Sequence, residues 1–154
     1  MKYKLVVVGK LKEKFWIDAT TEYIKRLGRF CNVETIEIAE CRLAENESDS
    51  KACLLREAES ILPKLEGYVV VLDIDGKQLS SEQLSDKLSQ QRSNSSIFTF
   101  VIGSSYGLAD SVKERADIRL SFGAITLPHN LARVVLLEQL YRANMIESGS
   151  KYHK

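Results

Sequence analysis

Residues 3–8 read YKLVVV, a short apolar run ending in three consecutive valines. A half-buried strand alternates apolar and polar positions, whereas an unbroken β-branched run marks a strand covered on both faces. Such strands sit inside parallel sheets, with helices packed above and below. The run therefore predicts further short apolar stretches downstream, separated by helical segments.

The rest of the chain follows that pattern. Residues 13–26 carry Phe15, Ile17, Ala19, Tyr23 and Ile24 at partly helical spacing, with Gly28 placed to end the helix. Residues 33–39 alternate and predict a second strand. The polar stretch 46–50 predicts a loop, and residues 51–62 a helix with Leu54, Leu55, Ala58, Ile61 and Leu62 on one stripe. Pro63 and Gly67 close it. Residues 68–72 (YVVVL) predict a third strand, and Asp75-Gly76 a turn. Ser80 or Ser81 is suited to cap a helix carrying Leu84 and Leu88, followed by a loop over 90–96. Residues 97–102 (IFTFVI) predict a fourth strand, 110–116 a short helix, 118–120 a brief strand and 131–146 the last long helix. Strands and helices in alternation imply one α/β domain over residues 1–154, built on a parallel sheet. Ligands in such sheets bind beyond the carboxyl ends of the strands. Attention falls on Leu72-Asp73, Ile102-Gly103 and residues 120–128.

Composition narrows the function classes. The 154 residues suit about one domain. With 44% hydrophobic and 28% charged residues, the chain is neither disordered nor a disulfide-dense scaffold. No apolar run approaches the roughly 18 residues of a membrane span, and a cytoplasmic location is expected. Cys31, Cys41 and Cys53 form no C-x-x-C pair and have no histidine nearby, so ordinary reduced thiols are expected and no metal site. Charge is uneven: residues 1–31 hold eight Lys/Arg against three Asp/Glu, while residues 32–66 hold four against nine. A basic end of this kind can meet phosphates, although solvated surface charge explains it equally well.

Four segments could carry chemistry. The turn Gly103-Ser104-Ser105-Tyr106-Gly107 follows a buried strand, and Gly103 lets a ligand approach the backbone. It lacks a dinucleotide fingerprint and a P-loop lysine. Residues 120–129 (LSFGAITLPH) form an almost uncharged apolar loop that must pack on something, a ligand or plain core. The last helix is apolar on most sides, so a second copy of the chain is a natural cover. Glu138 and Arg142 stand four apart on it and can pair. The tail Lys151-Tyr152-His153-Lys154 offers a stacking ring, an imidazole and two ammonium groups, the side chains that RNA recognition uses.

Taken in order, VVVGKLKEK, VLDIDGKQLSSE, VIGSSYGL, LSFGAITLPH, RVVLLEQLYRA and the closing YHK resemble the RlmH family of ribosomal large-subunit RNA methyltransferases, in the SPOUT superfamily. The resemblance runs from end to end. It implies a parallel-sheet fold with a C-terminal trefoil knot and a homodimer. It also implies methyl transfer from S-adenosylmethionine to N3 of a pseudouridine in 23S ribosomal RNA of the assembled 70S ribosome, without metal. Carried over by position, the cofactor residues are Leu72, Gly103, Ser104, Gly107, Phe122, Gly123, Ala124, Ile125, Thr126 and Leu127. Arg142, Tyr152 and His153 become the catalytic candidates, reaching into the partner's site. His129, Lys151 and Lys154 become substrate contacts. Ser104 and Asn144 depart from the family pattern, where a glycine and an aromatic residue are usual. Two other readings stay open on the residues alone: a non-catalytic nucleotide-binding module, and a dimer that binds ribosomes without chemistry.

Overall fold

Five strands and five α-helices alternate along the chain in a computed structural model that describes residues 1–41 and 46–153. The order is β1 (Lys2–Val8), α1 (Lys14–Leu27), β2 (Asn32–Ile38), α2 (Glu47–Ile61), β3 (Tyr68–Gln78), α3 (Ser81–Gln91), β4 (Ile97–Ile102), α4 (Asp110–Glu114), β5 (Ile118–Ser121) and α5 (His129–Glu147). A 3-10 turn, Leu62–Lys64, follows α2. The strands form one sheet in the order β2-β1-β4-β3-β5, and every neighbouring pair is parallel. The expected α/β class and parallel sheet are both present.

The run at residues 3–8 does what its composition requires. Successive side chains of a strand point to opposite faces. Tyr3, Leu5 and Val7 enter one core with Leu27, Leu84, Leu88, Leu136, Leu137 and Leu140, drawn from α1, α3 and α5. Val6 and Val8 enter a second core with Ala58, Ile61 and Val112, drawn from α2 and α4. The sheet is a middle layer between two helical layers. The edge strand β2 is more open: Ile38 is its one buried residue, and its other positions are half-buried or exposed.

Three local expectations differ from the structure. Residues 47–50 are the first turn of α2: the Asn46 side chain accepts the Asp49 N–H at 2.9 Å, and Glu47 and Asp49 sit at the positive end of the helix. Those polar residues are capping and dipole residues, and the same types make loops. Asp75-Gly76 does not reverse the chain. β3 leaves its ladder with β5 after Leu72 and rejoins it at Lys77, so residues 73–76 bulge out and strand direction is kept. Cys41 and Cys53 are joined in a disulfide, leaving Cys31 as a buried free thiol. The chain leaving β2 lies against α2 and brings the two Cα atoms to 5.3 Å, a proximity that sequence spacing does not reveal.

The basic N-terminal region is partly neutralised. Lys2 pairs with Glu34, and the buried Lys4 with Glu66 at 2.7 Å, so two of its cations face the acidic segment that follows. Among the described residues, no helix is long and apolar enough to cross a membrane.

Candidate functional site

The bulge of β3 and the carboxyl ends of β4 and β5 surround a cavity of about 650 Å³. Its walls are Leu72, the last β3 residue before the bulge, the 103–107 turn after β4, and the 122–127 segment after β5. Every cofactor residue expected from the sequence lines it except Ala124, which lies in the same loop but outside the lining. His129, the first residue of α5, closes one side and also borders a second cavity of about 610 Å³ with Lys10 and Lys12.

Glycine builds the floor of the first cavity. A Cβ on Gly103 would run into the carbonyl of Gly107, because the turn folds back tightly and Gly107 N–H bonds the Ser104 carbonyl at 2.9 Å. Gly107 and Gly123 have φ of +87° and +109°, and the space a side chain would take there is open. That leaves room for a ligand to lie against backbone. Ser104 does not crowd the cavity: its hydroxyl turns into the wall and donates to Glu57 Oε2 at 3.0 Å. The other oxygen of Glu57 accepts the backbone N–H of Cys41 at 3.1 Å. Burial pushes the Glu57 carboxyl above its ordinary range, while these two donors hold it down.

The bulge at residues 73–76 sets charge at the mouth. Asp73 is buried and accepts from Arg119 Nε at 2.8 Å, with Lys113 at 3.5 Å. Burial would raise its carboxyl, but the Arg119 hydrogen bond, the Asp75 N–H and the two cations together pull it below its ordinary range. Lys113 and Tyr106 also line the cavity. Asp73 and Tyr106 belong to the strand end and the turn that the sequence marks, whereas nothing in the sequence points to Arg119 or Lys113.

Helix α5 carries the second group of candidates away from this cavity. Its N-terminal half is fixed by Arg133, which is 4% exposed and donates to Glu37 and to the Gly9 carbonyl at 3.0 Å. Its C-terminal half is fixed by α3: Ser85 donates to the Ala143 carbonyl, and Arg92 to Asn144. Asn144 also donates to Tyr3 Oη at 3.1 Å, so the departure from an aromatic residue is absorbed in a buried polar network. On the outer side, Glu138 receives Arg142 through Nε at 3.0 Å and Nη2 at 2.6 Å, and Tyr152 Oη at 3.3 Å. The Arg142 guanidinium lies 4.9 Å from the Tyr152 ring centroid, and that ring packs edge-on against Tyr141. The i,i+4 pairing of Glu138 and Arg142 is confirmed, but Glu138 does more, because it gathers the tail as well.

His153 completes the cluster. Its Nε2 lies 2.5 Å from Glu82 Oε1, and its Nδ1 3.3 Å from Arg142 Nη1. A guanidinium only donates, so the hydrogen-bond pattern assigns the lone pair to Nδ1 and the hydrogen to Nε2. The His153 hydrogen bond in turn holds the Glu82 carboxyl down at about 2. Neither Glu82 nor Glu138 was singled out as a site residue. The only sequence signals were a polar residue at a helix start and an ordinary helical pair. Lys151 is exposed in the tail turn, and Lys154 lies outside the described residues. Thus one chain brings the cavity residues together and the tail residues together, but not the two groups. Among the described residues, no group of His, Cys, Asp and Glu is arranged to hold a metal ion.

Comparison with known proteins gives a consistent result. The family model described as "Predicted SPOUT methyltransferase" matches residues 1–153. The chain is 51% identical to the Ribosomal RNA large subunit methyltransferase H of Streptococcus thermophilus strain LMD-9, and 48% identical to that of Leuconostoc mesenteroides, over the whole of both chains in each case. Among solved structures, a probable methylase family protein from Haemophilus influenzae Rd KW20 is similar at a TM-score of 0.57 and 12% identity, covering 99% of this chain and 70% of that one. The putative methyltransferase Lpg2936 from Legionella pneumophila, in complex with bound SAM, is similar at 0.50 and 11%, covering 94% and 66%. At such identities the structural likeness shows a shared fold.

Proposed function

This chain belongs to the SPOUT methyltransferase family and, within it, to the large-subunit ribosomal RNA methyltransferases H, and on that premise we propose that it methylates N3 of a pseudouridine in 23S ribosomal RNA of the assembled 70S ribosome, with S-adenosylmethionine as donor. The observation that carries the reading is the cavity between the β3 bulge and the ends of β4 and β5. Its size lies within the usual range for small-molecule sites, roughly 300–1,000 Å³. The open faces of Gly107 and Gly123 and the apolar residues Leu72, Phe122 and Leu127 fit an adenosine held by backbone groups.

When bound, S-adenosylmethionine supplies a methyl already activated by its positively charged sulfonium. The chain's own residues have two tasks, alignment of the pyrimidine and removal of the N3 proton. Arg142 is the group for charge developing on the ring, since it carries five donors and cannot lose its proton. His153 is the group for the proton. Its Nδ1 lone pair faces Arg142, so movement of Arg142 toward the substrate uncovers a base. Tyr152 offers a ring for stacking, and Lys10 and Lys12, beside His129, meet the RNA backbone.

The separation of the tail from the cavity within one chain is the argument for a homodimer. Leu131, Val134 and Val135 are only half-buried on α5, at i, i+3 and i+4, and form a strip that a second copy covers. The tail of one protomer then completes the cavity of the other. The same reading includes a trefoil knot in the C-terminal part of the chain, a single domain and a cytoplasmic location. Incubation of purified protein with labelled S-adenosylmethionine and undermethylated 70S ribosomes, followed by nucleoside analysis, tests the reaction. Label in N3-methylpseudouridine is the expected result. Cofactor binding without transfer would leave a nucleotide-binding module instead.

A further inference from the structure

We infer that Glu57 is a positioning residue for the 103–107 turn and that the Cys41–Cys53 disulfide makes this positioning sensitive to redox state. The juxtaposition is specific. Cys53 and Glu57 are four apart on α2 and therefore share a face. Cys41 is tied to that face twice, by its disulfide to Cys53 and by its backbone N–H to Glu57 Oε1. The remaining oxygen of Glu57 holds the Ser104 hydroxyl in the cavity wall. Disulfide, carboxylate and turn form one connected path, and Cys53, Glu57 and Ser104 along it are all at least nine-tenths buried.

A carboxylate buried in this way needs both donors, because an unmatched oxygen there is costly. With the disulfide closed, the Cys41 N–H is held at Oε1 and the carboxyl group is fixed, so Oε2 is fixed beneath Ser104. A dithiol reductant breaks the Cys41–Cys53 S–S bond. Two electrons and two protons pass to the two sulfurs, and the reductant leaves as its own disulfide. Among the described residues, Cys41 then keeps the hydrogen bond from its N–H to Glu57 on α2, Glu57 gains freedom, and the turn loses its fixed anchor. Cys31 takes no part: burial pushes its thiol up to about 11, out of the range of an exchanging thiolate.

This inference rests on the cavity being the S-adenosylmethionine site, and the test separates the two. Full-length protein is equilibrated with glutathione disulfide or with dithiothreitol, and thiols are counted after unfolding. One thiol is expected in the first sample and three in the second; three in both overturns the inference. S-adenosylmethionine affinity is then measured by calorimetry, and hydrogen exchange of residues 103–107 is followed in the ligand-free protein. Reduction is expected to weaken binding about five-fold or more and to speed exchange in the turn. Ser104→Gly and Glu57→Leu should abolish the redox response, whereas Glu57→Gln, which can still satisfy the Cys41 N–H and Ser104, should keep it. If Glu57→Leu fails to fold, the Ser104→Gly comparison decides. Equal affinity and equal exchange in both redox states overturn the inference. Exchange that follows redox state in a protein that never binds S-adenosylmethionine supports this path and overturns the cofactor reading instead.

Discussion

The cavity at the strand ends and the cluster at the end of α5 are made of different materials. Glycines, backbone groups and mostly apolar side chains wall the cavity, with Asp73, Lys113 and His129 among the lining, and its shape follows from where β3 bulges and β4 and β5 stop. The cluster is made of side chains, with Arg142, Tyr152 and His153 held by the carboxylates of Glu138 and Glu82. A backbone site is rigid and sensitive to added atoms. A side-chain site is movable and sensitive to removed charges. Under the proposed function the contrast divides the tasks: the first region is the one to hold a ligand, and the second the one to exchange its own partners for another.

The largest effect should come from adding atoms to the cavity floor. Gly103→Val forces a side chain into the Gly107 carbonyl, and we expect S-adenosylmethionine binding to disappear together with about 2–3 kcal/mol of stability in denaturant unfolding. Ile125→Ser, at a lining side chain that is 79% exposed, should change binding little by comparison. Normal binding by Gly103→Val would erase the distinction between the two regions.

Removing charge from the cluster should act on turnover alone. Arg142→Ala is expected to lower methyl transfer by roughly 10²–10³-fold while leaving S-adenosylmethionine affinity unchanged in calorimetry. An equal loss of affinity would place Arg142 in the cavity and contradict the division of tasks.

The smallest effect is a titration. Glu82 is held at about 2 by its hydrogen bond to His153, below its ordinary 4.5. The sign follows: a depressed carboxyl keeps its contact above about 4.5 and loses it as pH falls through about 2. In a His153→Ala protein, an NMR titration should find the Glu82 carboxyl returned toward its ordinary range. An unchanged midpoint would mean that the tail is not docked on α3.

The two regions also differed in how far the sequence revealed them. Strand runs such as 3–8 and 97–102 locate the sheet because a doubly covered strand must be apolar throughout. Glycine turns after strands then place the cavity. What stayed hidden depends on contacts between distant residues. Glu57 meets Ser104 across 47 positions, and Glu82 meets His153 across 71, with no local pattern to announce either. Cys41 and Cys53 looked like ordinary thiols for the same reason. Asp75-Gly76 misled as a turn because a bulge and a reversal use the same residue types. The residue types of the tail pointed to RNA contact, but a catalytic role for it came only from family resemblance.

The central claim is that the cavity of one protomer works with the tail of another. Complementation between two inactive variants tests it most directly. Thr126→Trp fills the cavity, Arg142→Ala disables the tail, and each is expected to be inactive as a homodimer. Co-expressed with different tags and mixed statistically, they should recover about a quarter of wild-type methyl transfer, since half the dimers are mixed and each mixed dimer keeps one intact composite site. No recovery in mixed dimers shown to have formed would contradict the account, placing cavity and tail of the same protomer in one site.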